Sequence, residues 1–161
     1  MHDLSAIKDL SRLERLYVKD GTSLSNVDAL QNLSALLVVN LAGCTRLTNM
    51  DGLKDLSGLQ MISLNGCAGL TNVDALKNLS ALQYVYIHRC TGLTNVDGLK
   101  NLSALQEVHL YGCTGLTNVD ALKNLPALKQ VRLVGCTGLS KERVAALVAA
   151  LPKANIFSDY Q

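Results

Sequence analysis

The sequence has almost no charge excess: 15 Lys and Arg residues against 13 Asp and Glu leave a formal net charge of +2. Tracking phosphates or an anionic membrane needs basic side chains clustered on one face, so neither a nucleic-acid nor a membrane partner is expected. No apolar run approaches the roughly 18 residues of a membrane span, and the opening stretch MHDLSAIKDL has no apolar centre of the secretory-leader type. There is no Cys-x-x-Cys pair and no glycine-rich phosphate loop. At 48% hydrophobic and 17% charged, the 161 residues are expected to form one compact domain, 1–161, with a real core.

What the chain does have is a period. Cys44, Cys67, Cys90, Cys113 and Cys136 fall 23 residues apart, and their column reaches back to Gly21. A fixed period of roughly 20 to 50 residues is the mark of a solenoid, and here seven periods span the chain. In the unit LSALQYVYIHRCTGLTNVDGLKNL, apolar residues stand at Leu79, Leu82, Val85, Ile87, Cys90, Leu93, Val96, Leu99 and Leu102. Val85 and Ile87 alternate as in a half-buried strand, so Tyr84, Tyr86 and His88 must point to the opposite, exposed face. From Leu93 the apolar spacing becomes three, which predicts short helical or 3₁₀ turns across the coil, with Asp97 placed to cap one. Strands are expected around Leu16, Val39, Ile62, Val85, Val108 and Val131.

The segment LQYVYIHRC, Leu82 to Cys90, resembles the signature LxxLxLxx(N/C) of the leucine-rich repeat family, and the match recurs in every full unit. It is most similar to bacterial, internalin-like repeats, with Cys where the family often has Asn. The resemblance implies an α/β solenoid: a right-handed coil with a parallel concave sheet, short helical or 3₁₀ turns on the convex side and a C-terminal capping helix. It also implies a ligand-recognition role. The family's Asn hydrogen-bonds backbone between coils; Cys is expected to fill that slot mainly as a small hydrophobe with a weak donor.

Residues 1–13 read as a partial coil and 14–139 as repeats. The remainder, 140–161, reads as a terminal helix and last strand. SKERVAALVAALPK offers a cap at Ser140, apolar Val144, Leu147, Val148 and Leu151, and a stop at Pro152. Ala154 and Ile156 then fall on the 23-residue register as a seventh strand. Leu4, Ile7, Leu10 and Leu13 match the second half of a repeat with no distinct cap. That is the pattern of a piece of a longer protein or an engineered chain, and it leaves end-to-end self-association open.

Stacked cysteines in one line do not surround a metal tetrahedrally, so a buried, reduced ladder is expected and no cofactor. Reduced thiols suit a cytosolic setting, although the chain's location stays open. The Asp column Asp28, Asp51, Asp74, Asp97 and Asp120, with Lys54, Lys77, Lys100 and Lys123 three residues after four of them, reads as capping plus solvated ion pairs. Pairs such as Thr94-Asn95 read as turn chemistry between coils. His88, Glu107 and His109 are the one arguable catalytic group. They lack a partner Asp or Ser and a water-excluding pocket, so enzyme activity is not expected; a weak metal site there stays open.

The exposed strand face is where the repeats differ. Its first outward position reads Arg15, Val38, Met61, Tyr84, Glu107, Gln130, its second Tyr17, Asn40, Ser63, Tyr86, His109, Arg132, and its third Lys19, Ala42, Asn65, His88, Tyr111, Val134. The opposite side is nearly copied, as in TNVDALKNLSAL and TNVDGLKNLSAL. Divergence confined to one face points to individual contacts, and four of the five tyrosines lie there. The expected ligand-binding residues are Arg15, Tyr17, Lys19, Met61, Tyr84, Tyr86, His88, Arg89, Glu107, His109, Tyr111 and Arg132, with Lys153 in the basic rim. Arg89 replaces the Gly of its sisters and, since Asp20 also stands there, is expected to sit without strain. The partner is expected to be a protein; the competing reading is a spacer or engineered scaffold whose only task is stacking.

Overall fold

The structure, a computed structural model, describes residues 3–160. Seven three-residue strands form one parallel sheet in chain order: β1 (Arg15–Tyr17), β2 (Val38–Asn40), β3 (Met61–Ser63), β4 (Tyr84–Tyr86), β5 (Glu107–His109), β6 (Gln130–Arg132) and β7 (Asn155–Phe157). The register is constant from β1 to β6, so Leu16, Val39, Ile62, Val85, Val108 and Val131 make one inward row. Each 23-residue coil thus advances the chain by one strand spacing, about 4.8 Å. Hydrogen bonding continues past the strand ends. The Ile87 N–H donates to the His109 carbonyl and the Arg89 N–H to that of Tyr111, both at 2.7 Å.

The last strand departs from the 23-residue register. Ile156 pairs with Val131 and Phe157 with Arg132, two residues later than expected. The cause is α1 (Lys141–Ala150), a full α-helix where the other coils carry three-residue 3₁₀ turns, and it consumes more chain. A shift of two keeps Ala154 and Ile156 on the inward side, because side chains alternate with period two. It moves Lys153 off the sheet face, beside Lys123, Pro126 and Pro152. It also brings Phe157 onto that face.

The 3₁₀ turns Asp28–Leu30, Asp51–Leu53, Asp74–Leu76, Asp97–Leu99 and Asp120–Leu122 line the other side of the coil, preceded by Ser5–Ile7. Their caps differ from expectation. Asp97 caps nothing with its side chain; Asn95 Oδ1 accepts the Asp97 N–H at 3.0 Å, and Asn26, Asn49, Asn72 and Asn118 do the same. The residue between, Val96, is fully buried, so the capping acceptor must come from one position earlier, as an Asx turn. Thr48 and Thr117 do tie coil to coil, through hydroxyls on the Ser25 and Thr94 carbonyls. Of the expected Asp–Lys pairs, Asp120–Lys123 closes at 2.8 Å, and among the described residues the others do not. Exposed pairs of this kind hold little free energy against solvent.

The core is a set of columns running the length of the solenoid. Leu79, Leu82, Val85, Ile87, Cys90 and Leu93 are all 0% exposed. All five thiols are buried and free. Each reaches the carbonyl of a residue in the preceding coil, as Cys90 Sγ reaches Leu64 O at 3.0 Å and Cys113 Sγ reaches Ile87 O at 2.8 Å. The thiol therefore takes a between-coil bond as well as filling space. Burial pushes the thiol pKa values up, Cys67 and Cys136 to about 12 and Cys113 to about 11, so they stay protonated donors.

At the C-terminal end Ser140 Oγ accepts the Arg143 N–H at 3.3 Å and starts α1, which buries Val144 and Leu147 on the last coil. Val148, one of the four expected apolar contacts, instead faces outward at 49% exposure. At the other end Leu4, Ile7 and Leu13 pack on the core as a partial coil, whereas Leu10 is 50% exposed.

Candidate binding face

On the sheet face, parallel register stacks outward side chains in rows, so neighbours in a row come from successive repeats. Tyr84 and Tyr86 alternate on β4, with His88 just beyond the strand; Glu107 and His109 stand opposite the two tyrosines on β5. Their rings form one unbroken run. Tyr84 lies 6.5 Å from Tyr86, Tyr86 4.8 Å from His109, His109 6.0 Å from His88, and His88 6.2 Å from Tyr111, centroid to centroid. Offset and tilted rings at these distances attract one another beyond simple burial.

Polar groups fix the run from both sides. Asn65 Oδ1, one strand back, accepts the His88 N–H at 2.8 Å. One strand forward, the Gln130 amide meets His109 Nε2 at 2.8 Å, and Glu107 Oε2 stands 3.4 Å from the same nitrogen. A single ring nitrogen does not serve both. With Nε2 unprotonated, His109 accepts from the Gln130 NH₂; with a hydrogen on Nε2 it turns that donor toward the Glu107 carboxylate, which also takes the Tyr86 hydroxyl. Glu107 also raises the Tyr86 pKa, after burial itself. His88 Nε2 is buried without a hydrogen-bond partner.

Both imidazoles are held below their ordinary pKa, chiefly by burial and then by the Arg132 charge; Arg89 adds to the effect on His88, and Glu107 partly opposes it on His109. The unfolded chain therefore binds more protons than the folded one as pH falls below about 6.5, so stability is lost across that interval and flat above it. Urea midpoints at pH 7.5 and 5.5 should show this drop in the native chain and a smaller one in H88Q and H109Q. Equal drops in all three would contradict the assignment. Among the described residues no group of three or more His, Cys, Asp or Glu side chains is arranged to hold a metal ion.

The structure gathers Met61, Tyr84, Tyr86, His88, Glu107, His109 and Tyr111 on neighbouring strands, with Arg132 one strand further. It does not bring Arg15, Tyr17 and Lys19 there: they belong to β1 and its end, three strands from β4, about 14 Å away. Arg132 lies over the Phe157 ring at 5.2 Å, a contact the two-residue slip of β7 creates. Asn65, Gln130 and Phe157 join the face unforeseen; the first two were visible in its columns but carried no signal beyond polarity. Farther along the rim, Gln106 accepts from Lys129 Nζ at 3.0 Å and donates to Gln83.

Arg89 corrects an expectation. Its φ is +56°, in the left-handed region, as is Asp20 at +54°, and the sister glycines lie between +69° and +78°. The side chain is therefore strained, and its Cγ lies over Gly112. R89G should raise stability by about 0.5–1 kcal/mol in urea denaturation, the relief of strain outweighing the added freedom of the unfolded chain. A loss of stability would mean that contacts of Arg89 outweigh its backbone cost.

No protein-family model matches the chain, and no curated protein matches it. Solved structures do. An internalin (inlF) of Listeria monocytogenes aligns over 98% of this chain at 16% identity and a TM-score of 0.64. Internalin C2 (inlC2) of the same species aligns over 85% at 24% identity and 0.62. This chain has the leucine-rich repeat fold. The leucine-rich repeat domain of the type III effector XopL is a further match, over 95% of this chain and 71% of that domain, at 15% identity and a TM-score of 0.59. The chain spans 64% and 63% of the two internalin chains. The outward rows described above are the strand face of this leucine-rich repeat, and the 3₁₀ turns are its opposite side.

Proposed function

We propose that this leucine-rich repeat is a non-catalytic recognition module that binds a protein ligand on its sheet face. The observation that carries the reading is the run of five rings from Tyr84 to Tyr111, built from two adjacent repeats and not repeated elsewhere on the sheet. Half-exposed Tyr side chains offer large, rigid contact area with little entropy to lose. Arg89 and Arg132 border the rings with charge. A broad sheet of short strands suits a macromolecular surface better than a small molecule, which needs a concave pocket.

The test is affinity capture with the chain as bait, followed by titration of each captured protein against two variants. One carries alanine at Tyr84, Tyr86 and Tyr111; the other carries alanine at Lys54 and Lys77 on the opposite side. Binding lost in the first and kept in the second supports the sheet face. Equal losses would sink it.

A further inference from the structure

Large exposed apolar side chains are concentrated at the two ends of the solenoid. Leu10 (50%), Tyr17 (59%), Val148 (49%), Phe157 (39%) and Tyr160 (41%) belong to the first or last coil, and Tyr111 alone lies between. Leu10 occupies a core column whose other members, Leu33, Leu56, Leu79, Leu102 and Leu125, are at most 3% exposed. At the far end, α1 turns Ala145, Ala146, Val148, Ala149 and Ala150 outward. A helix that ended the stack in water would carry a polar outer face. Between that face and β7 lies a cavity of about 560 Å³ lined by Val148, Ala149, Ala154 and Tyr160 among others.

We propose that this end receives the first coil of a second copy of the chain, so that copies stack head to tail as a continued solenoid. This surface is separate from the ring run on β4 and β5, and the two readings stand or fall independently. The sheet's own register names the pairs. β1 of the second copy, laid beside β7 as β7 lies beside β6, sets its Arg15 by Asn155, its Leu16 by Ile156 and its Tyr17 by Phe157. Two residues on, its Lys19 meets Asp159, opposite charges on adjacent strand ends. Asp159 already accepts the Gly135 N–H at 2.8 Å through one oxygen, which fixes the carboxylate in place. On the turn side, the 3₁₀ turn Ser5–Ile7 follows α1 as each turn follows the one before, and Leu10 of the second copy enters the cavity beside Val148.

Such a contact uses two different surfaces, so it leaves both outer ends open and growth continues along one axis. Sedimentation of the 17.2 kDa chain from micromolar to millimolar concentration should show mass rising through dimer to longer species. L10K and V148K should each stay monomeric, because a lysine there places a charge in the apolar joint. Mixed one to one, they should give a heterodimer and nothing longer, since each retains one working end. K19D should weaken growth a few-fold, and K19D with D159K in the same chain should restore it. Leu10, Lys19 and Val148 are exposed, so circular dichroism should be unchanged in L10K, K19D and V148K. The triple alanine at Tyr84, Tyr86 and Tyr111 should leave growth unaltered, whether or not a ligand is found. A monomer at every concentration, growth that survives both lysine variants, or a dimer formed by L10K alone would each overturn the proposal.

Discussion

Replacing Gly98 by alanine should destabilise the chain by about 2–3 kcal/mol, although alanine is the residue at the same position in the coils on either side. The turns read Asp-Ala-Leu, Asp-Gly-Leu, Asp-Ala-Leu, Asp-Gly-Leu and Asp-Ala-Leu from Asp28 to Leu122. By propensity or by majority among the repeats, G98A would count as an improvement. The packing says otherwise. A Cβ on Gly98 would overlap the Val73 carbonyl oxygen, lie 2.6 Å from its carbon and 2.9 Å from Asp74 Cα. These are backbone atoms of the preceding coil, which cannot swing aside as the tip of a flexible side chain can. Gly52 stands in the same relation to Val27 and Asp28. The reverse change, A75G, should cost about 1 kcal/mol or less, the usual penalty for added chain freedom. Urea denaturation of the two single variants separates the cases: similar small effects would show that the coils can part at no great cost.

This asymmetry shows which parts of the structure the sequence discloses. A position whose environment is the same in every coil is legible from one coil, because the period repeats both residue and surroundings. The period places Val85, Ile87, Cys90 and Leu93 inward, and all are fully buried. What is not legible is how closely one coil approaches the next, since that depends on backbone separation and not on pattern. Gly98 against Ala75 looks like neutral drift until the Val73 carbonyl is located. The same holds for Arg89: Asp20 at the equivalent position read as a sign of tolerance, yet both share a left-handed φ that only the backbone reveals. Asp97 and Asn95 are each plausible caps by type, and the buried Val96 between them decides for Asn95. The terminal strand slipped because an α-helix and a 3₁₀ turn use different lengths of chain to cross the same distance. That slip took Lys153 off the sheet face and brought Phe157 onto it. The rows of the candidate face were readable from parity, but the distances that join Tyr84, Tyr86, His109, His88 and Tyr111 into one run were not. The separation that leaves Arg15, Tyr17 and Lys19 toward one end of the sheet was readable, because three periods of the sequence are three strand spacings.

Alanine at Tyr84, Tyr86 and Tyr111 together should lower affinity for a captured protein ligand by at least about a hundredfold. Central tyrosines of an interface commonly cost more than about 1 kcal/mol each on truncation, and about 1.4 kcal/mol is tenfold in affinity. Their loss removes both ends of the ring run and the Tyr86 link between Tyr84 and His109, leaving His88 and His109 without the rings that shield them. Stability should fall less than binding, because the buried row beneath, Ile62, Val85 and Val108, is untouched. Tyr17 supplies the sharper control. It is the same residue type in the same outward row as Tyr86, 59% exposed, but three strands away. If tyrosine at large mattered, Y17A would weaken binding as each of the other single changes does; if the run on β4 and β5 is the centre, Y17A should stay within about twofold of the native chain. Isothermal titration of the four single variants and the triple decides between these outcomes. A triple variant that still binds within tenfold would move the ligand off this face.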